Sequence, residues 1–367
     1  DISNRMRILH TEWSDGLGGQ EKRVLAELTG LAGRGYDMLL VCRQEARIRP
    51  EAEKRGIRVI TLPLRRSYDV SSILKLRRIL REQAVDIVNT HSGVDSWIGA
   101  IAAKLAGVPL LVRTRHLNIP LKRNPFNFVH YLPDLYITCG ENMRNILVNQ
   151  CRFAAEKVVS IPTGIPMEFF DVVRDAAAKK AFGLDPDSLV ISNVGILRRV
   201  KGHETTFRAV PAVVREFPRA RFLIVGDGPR RQELERMAED MNIRQYLIFT
   251  GFVEDIGALY ACTDIAILSS WSEGLPQSVL QALACSVPVI ATRVGGVPEV
   301  VIPGKTGILV EAGDHEGLAR EIIAVLREPA AARQMALAGK EFVKGRHSIQ
   351  HMLDRLEGVY TRGRRKR

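Results

Sequence analysis

The sequence predicts an α/β protein built from two doubly wound parallel-sheet domains. Three observations carry this. Short, continuously apolar, β-rich runs alternate with longer helical patterns along most of the chain. The alternation breaks once, near residues 165–175, and then restarts. The length of 367 residues exceeds what one core holds at a prior of ~150 residues per domain. Strands covered on both faces by helices read as unbroken apolar runs rather than alternating ones, which marks parallel sheets.

In order, RMRILHTEW, DMLLVC, IRVITLP, VDIVNTH, PLLVRTRH and LYITCG read as buried strands, with helical segments such as GQEKRVLAELTGLAGRG between most of them. PTGIPMEFF and the helical DAAAKKAFG form the break. The second series is LVISNVG, RFLIVGDG, YLIFTGF, DIAILSS, VPVIAT and GILVEAGD. The stretch AARQMALAGKEFVKGRHSIQHMLDRLEGVY is helical and runs into TRGRRKR, read as a frayed basic tail. These readings divide the chain into residues 1–170, 171–345 and a C-terminal helix with its tail, 346–367.

Composition excludes several classes. Hydrophobic residues make up 46% and charged residues 26% of the chain, ordinary for a soluble globular protein. The five cysteines, Cys42, Cys139, Cys151, Cys262 and Cys285, are odd in number and scattered. That pattern argues for reduced thiols in the cytoplasm and against a disulfide framework or structural zinc. No run of ~18 apolar residues occurs and the first residues have no signal-peptide pattern, so no membrane span is expected.

The net charge is +12. Residues 1–170 hold 25 Lys and Arg against 17 Asp and Glu, so most of the excess lies there. Such a balance suits nucleic acid, an anionic membrane surface or acidic small molecules. The segment VSSILKLRRILREQ combines Ile73, Leu74, Ile79 and Leu80 with Lys75, Arg77, Arg78 and Arg81. It reads as a crossover helix with its apolar face on the sheet and a basic face left for anionic lipid.

Ligands of open parallel sheets bind beyond the carboxyl ends of the strands, beside helix N-termini. The segment WSEGLPQSVLQALA follows such a strand. Pro276 suits the first turn of a helix, whose free N–H groups and partial positive charge favour phosphate. Gln281 lies five positions on, roughly 7.5 Å along the axis, within reach of a ribose attached to a bound diphosphate.

Glu273 and Gln281 together resemble the Glu-x7-Glu signature of the retaining glycosyltransferases of family 4, which have two Rossmann-like domains facing across a cleft, the GT-B architecture. The resemblance covers nearly the whole chain. It implies that Glu273 contacts the donor sugar and that Gln281, where the family has a second Glu, contacts the ribose. Gly274 and Leu275 fall in the same donor loop. NVGILRRVKGHETTFRAV resembles the family's glycine–Arg–x–KG stretch. Lys201 then clamps the donor diphosphate, while Ile196 stands where the family usually has Arg; Arg198 or Arg199 is the replacement, with Arg198 preferred. Gly228, in FLIVGDGPRRQELE, serves the donor or simply a tight turn. Phe252 and Val253 fall in the loop that reads the base through backbone groups, and Gly295 and Gly296 where backbone approaches sugar or phosphate.

In the first domain, Gly18 and Gly19 match a Gly-Gly-x-Glu turn facing the β-phosphate. His116, after PLLVRTRH, matches the active-site histidine, with His91 the weaker candidate. Asp185 and Asp187 spell the D-x-D of a different glycosyltransferase fold and are read as a turn. His347 and His351 lack a third ligand.

The resemblance implies no metal and no cofactor, with the nucleotide sugar as substrate. It places donor binding in residues 171–345 and acceptor binding in 1–170. The acceptor is a glycan or lipid-linked saccharide hydroxyl in bacterial surface polysaccharide or lipopolysaccharide synthesis. Peripheral contact with an anionic membrane at its cytoplasmic face is expected, and no nucleic acid. Two alternatives stay open: a sugar epimerase of the same architecture, and a non-catalytic partner subunit, the latter kept open by Ile196 and Gln281.

Overall fold

A computed structural model describes residues 6–117, 119–121 and 124–365. The chain divides into two compact units, one holding residues up to Gly164 together with the segment from Ile349 onward, the other Ile165–Ser348.

The first unit holds seven parallel strands: β1 (Arg7–Glu12), β2 (Asp37–Cys42), β3 (Arg58–Thr61), β4 (Ile87–Thr90), β5 (Leu110–Arg115), β6 (Leu135–Thr138) and β7 (Val158–Ser160), in the order 3-2-1-4-5-6-7. Both faces are covered. Ile8, Leu40 and Val112 meet Leu28 and Leu31 of the helix Gly19–Gly33 and Leu353 and Tyr360 of the helix Ile349–Arg365. On the other face Leu9, Leu39 and Leu111 meet Leu76, Leu80 and Ile98.

The second unit holds β8 (Leu189–Val194), β9 (Ala220–Val225), β10 (Leu247–Gly251), β11 (Ile265–Leu268), β12 (Val289–Thr292) and β13 (Ile308–Val310), in the order 10-9-8-11-12-13. Ile191, Phe222 and Ile267 pack on Phe207 and Ile322 on one face. Ala266, Leu268 and Ala291 pack on Leu280, Leu283 and Val343 on the other. Both topologies reverse direction once, between β1 and β4 and between β8 and β11, and the carboxyl ends of those strands are the positions where doubly wound sheets bind ligands.

Several expectations need correction. The sequence reading lists six strands for the first domain; the seventh, β7, offers only Val158 and Val159 as apolar residues, too few to show a pattern. DAAAKKAFG forms a 3₁₀ segment, Ala176–Phe182, begun by Asp175 accepting from the Ala177 N–H at 2.8 Å. Pro276 caps the helix Gln277–Ala284 from outside in an extended conformation rather than opening its first turn. The tail is helical as far as Arg365, and an added Cβ at Gly363 would lie 2.7 Å from Leu110, which shows how closely that helix is packed.

The helix Val70–Glu82 starts where Asp69 accepts from the Ser72 N–H at 3.1 Å. It buries Ile73, Leu76 and Leu80, and Leu74 faces solvent instead of the sheet. Arg77 and Arg81 both donate to the Leu105 carbonyl and Arg78 pairs with Glu82 at 2.6 Å. Much of the basic face is thus engaged within the unit. Among the described residues no helix is long and apolar enough to cross a membrane.

Candidate functional site

In the second unit the segments after β8 and β11 are fastened to each other at the switch point. The Ser269 hydroxyl donates to the Lys201 carbonyl at 3.1 Å, and the Trp271 N–H donates to the Val200 carbonyl at 2.7 Å. Beneath them Asn193 donates to Thr206 and Ser269, all three buried. Gly202 turns the chain with φ +60°, and an added Cβ there would lie 2.1 Å from the Ser269 carbonyl oxygen. Only glycine fits both demands.

This frame sets Lys201 Nζ 2.6 Å from Glu273 Oε1, with side chains 19% and 9% exposed. The Ser270 hydroxyl donates to the same carboxylate oxygen at 2.5 Å, and Thr292 holds the Ser270 carbonyl at 2.7 Å. The backbone of Glu273 and Gly274 is gripped by the segment after β12. Gly296 N–H donates to the Gly274 carbonyl at 2.8 Å. An added Cβ at Gly295, φ +51°, would lie 1.8 Å from the Glu273 carbonyl oxygen. Leu275 leads into Pro276 and the helix, and Gln281 sits half-buried one turn inside it.

The structure therefore brings Lys201 and Glu273 into contact, with Gly274 and Leu275 continuing the Glu273 loop and Gln281 in the helix that follows. Other expected residues lie differently. Arg198 and Arg199 are both exposed. Gly228 packs against the Leu197 backbone, 2.7 Å from an added Cβ, so a turn role accounts for it without a ligand. Exposed Phe252 and half-buried Val253 follow β10, the sheet's edge strand, two strands from β8, about 10 Å away. Asp187 pairs with Arg219 at 2.6 Å, which gives the D-x-D turn a structural job.

In the first unit, Gly18 precedes the helix Gly19–Gly33 and its N–H donates to Glu21 at 2.7 Å; nothing lies within 4 Å of an added Cβ at Gly19. His116 does not stand alone. Its Nε2 is 3.0 Å from His91 Nδ1, and His91 Nε2 is 2.9 Å from His10 Nδ1. His116 Nδ1 lies 3.5 Å from Cys139 Sγ, whose thiol donates to the Arg115 carbonyl.

One proton assignment serves every contact in this row. His10 Nε2 is buried without a partner, so it is better left as a lone pair than as an N–H. His10 Nδ1–H then donates to His91, His91 Nδ1–H to His116, and His116 Nδ1–H points toward Cys139. Burial holds His10 down to about 3 and His91 and His116 well below the usual histidine range, with Arg23 adding to each shift. The row is neutral at pH 7.

Two features here escaped the sequence reading. Glu12 ends β1 at the switch point and is buried; burial first, then nearby Asp95, raises its carboxyl to about 8. Gln20 donates to it at 2.7 Å. A carboxylate ending a buried strand was the available signal. His10, Glu27 and His91 also place ligand atoms within 4.8 Å of one another. Arg23 sits 2.7 Å from Glu27, so a cation already occupies that carboxylate.

Comparison with known proteins follows these two halves. The family described as Glycosyl transferases group 1 matches residues 175–342, and Glycosyltransferase Family 4 matches residues 17–169. The chain is 31% identical to the N-acetyl-α-D-glucosaminyl L-malate synthase of Bacillus anthracis, over 80% of this chain and 79% of that one. It is 25% identical to an Escherichia coli UDP-Gal:α-D-GlcNAc-diphosphoundecaprenol α-1,3-galactosyltransferase, over 97% of each. A Rickettsia africae glycosyltransferase superposes with TM-score 0.88 at 20% identity, covering 98% of this chain and 99% of that one. HepE of Anabaena, solved with UDP and glucose, gives 0.83 at 19% identity, covering 97% and 100%. The structural likenesses share the fold.

Proposed function

We propose that this chain, which belongs to the group 1 glycosyl transferases of family 4, moves a glycosyl group with retention from a nucleotide diphosphate sugar to an acceptor hydroxyl. That it is a glycosyltransferase follows from the family; donor, stereochemistry and acceptor are our reading. The observation that carries it is the Lys201–Glu273 pair, held at the switch point of the second sheet beside the helix that begins at Gln277.

In this reading Lys201 and that helix N-terminus stabilise charge developing on the leaving diphosphate. Arg198, exposed on the same loop, is the second cation. Glu273, freed from Lys201 by the incoming phosphate, accepts from hydroxyls of the transferred sugar. Gln281 uses its amide as both donor and acceptor toward the ribose. Gly274, Leu275, Gly295 and Gly296 bring backbone close, and Phe252 and Val253 contact the base. In the first unit Gly18 and Gly19 offer backbone to the β-phosphate. His116, kept neutral by burial and oriented by His91, lies beside the donor sugar. The departing phosphate takes the acceptor's proton, so no side chain forms a covalent intermediate.

The acceptor in this proposal is a glycan or lipid-linked saccharide of the bacterial surface, as the names of relatives in Escherichia coli and elsewhere suggest. The protein works at the cytoplasmic face of the membrane, with Leu74 and Lys75 exposed on one helix surface. A binding screen of UDP-, GDP-, ADP- and CMP-sugars tests the donor assignment; binding of none of the three diphosphate sugars, or of the CMP-sugar alone, would contradict it.

A further inference from the structure

Strand β5 ends in two arginines, Arg113 buried and Arg115 half-buried, that no carboxylate among the described residues neutralises. Residues two apart on a strand share a face. Thr114 turns toward Asn89, to which it donates at 2.9 Å, while Arg113 and Arg115 turn the other way. Arg113, only 3% exposed, has Nη1 2.7 Å from His130 Nδ1. A guanidinium only donates, so His130 Nδ1 accepts and its proton sits on Nε2, giving a further donor. Arg115 donates to the Leu117 and Ile119 carbonyls. The Nε of each arginine is buried without a partner.

The contrast with other buried arginines is direct. Arg23 pairs with Glu27, and Arg230 with Glu204 and Glu233. Among the described residues no carboxylate pairs with Arg113 or Arg115. Burial, and next the charge of Arg113, pull the Arg115 guanidinium down to about 10. Burial and the same two arginines hold His130 down to about 4. Unpaired buried charge is costly, and an arriving anion relieves it.

The surroundings say what the anion is attached to. The segment after β5 exposes Leu117, Ile119, Phe128 and Tyr131, with Phe126 85% exposed. Phe128 stands edge-on to Trp97 with ring centroids 5.2 Å apart, and Tyr68 lies 4.9 Å from Trp97 on its other side. Apolar and aromatic surface on the segment that follows two unneutralised guanidiniums matches a hydrocarbon chain ending in phosphate.

We propose that Arg113, Arg115 and His130 bind the phosphate or diphosphate of a lipid-linked acceptor, whose apolar chain lies across Phe126 and Phe128. This rests on the acceptor class proposed above, and the test is made without donor or turnover. Binding to the full chain is measured for farnesyl diphosphate, inorganic pyrophosphate and farnesol. Farnesyl diphosphate is expected to bind at least tenfold tighter than either of the others. Arg113→Gln and Arg115→Gln should each weaken it tenfold or more. Phe126→Ser, at an exposed position, should weaken farnesyl diphosphate and leave pyrophosphate unchanged. Lys201→Ala should leave farnesyl diphosphate binding intact, which separates this site from the donor site. Nucleoside diphosphate affinity and thermal melting check folding, and Arg115→Lys, which keeps the charge, should retain most of the affinity. Equal binding of farnesol, or unchanged binding in both folded Gln variants, overturns the proposal. Pyrophosphate binding as tightly as the farnesyl ester overturns the lipid assignment. Loss of transfer alongside intact farnesyl diphosphate binding would count against the function and not against this site.

Discussion

Lys201 and Glu273, 72 residues apart in sequence, meet with Nζ 2.6 Å from Oε1. Each comes from a segment leaving the switch point of one sheet, and each is fixed by backbone contacts rather than by the pair itself. A cation and a carboxylate so arranged neutralise one another, and in the proposed function phosphate and sugar separate their tasks.

Removing the cation tests that division. A charge-assisted contact to phosphate is worth ~1.5–3 kcal/mol. Lys201→Ala should therefore weaken nucleoside diphosphate binding about tenfold or more by calorimetry. Unchanged affinity would show that Lys201 serves only Glu273. Comparing Arg198→Ala with Arg199→Ala in the same assay identifies which exposed arginine acts where Ile196 stands, with Arg198 expected to lose more.

Gly295 tests the frame behind Glu273. With φ +51° and an added Cβ 1.8 Å from the Glu273 carbonyl oxygen, Gly295→Ala must push the loop aside. Strain of ~1–3 kcal/mol is expected in thermal melting, with turnover reduced more than nucleotide affinity. Wild-type turnover in this variant would mean the loop position of Glu273 is not critical.

Gln281 should behave as a working amide. Gln281→Ala leaves the ribose hydroxyls without partners and should cost ~1–3 kcal/mol in donor binding. Gln281→Glu gains charge assistance but adds repulsion with the diphosphate, so its effect should be small. Normal donor binding by the alanine variant would make Gln281 an ordinary helix residue.

The histidine row predicts acid sensitivity. His10 is held at about 3 in the fold against an ordinary 6.5, so the native state binds fewer protons than the unfolded chain between those values. Its contribution is fully present above pH ~6.5 and is lost as pH falls toward 3, on the order of a few kcal/mol. Glu12, raised to about 8, has the opposite sign: its contribution is present below the ordinary carboxylate range and is lost as pH rises through 8. Between about pH 4.5 and 6.5 the two slopes oppose each other, so denaturant midpoints across pH 4–9 are compared for the parent and for Glu12→Gln, which should remove the loss that runs up to pH 8. A Glu12→Gln profile flat below pH 6.5 would contradict the neutral histidine row.

Much of this was legible because burial leaves a plain mark. Runs such as DMLLVC and VPVIAT are apolar on both faces, and twelve of the thirteen strands follow from them; β7 escaped because Val158–Ser160 offers only two apolar residues before Ser160. Lys201 and Glu273 were legible as separate motifs, but their contact depends on strand order, which pairs β8 with β11. The histidine row was hidden for the same reason: His10 lies within β1, and His91 and His116 directly follow β4 and β5, strands that only the topology makes neighbours. The contacts of the basic side chains on Val70–Glu82 were not legible either, since periodicity cannot show that Arg77 and Arg81 cap another helix at Leu105.

The most direct test is turnover of nucleotide sugars by the full chain, with the anomeric configuration of the released or transferred sugar read by NMR. We predict that at least one UDP-, GDP- or ADP-sugar is turned over with its donor configuration retained, and that Glu273→Ala, still folded by thermal melting, lowers the rate by orders of magnitude. Inverted product, or a folded Glu273→Ala variant as active as the parent, would contradict the account.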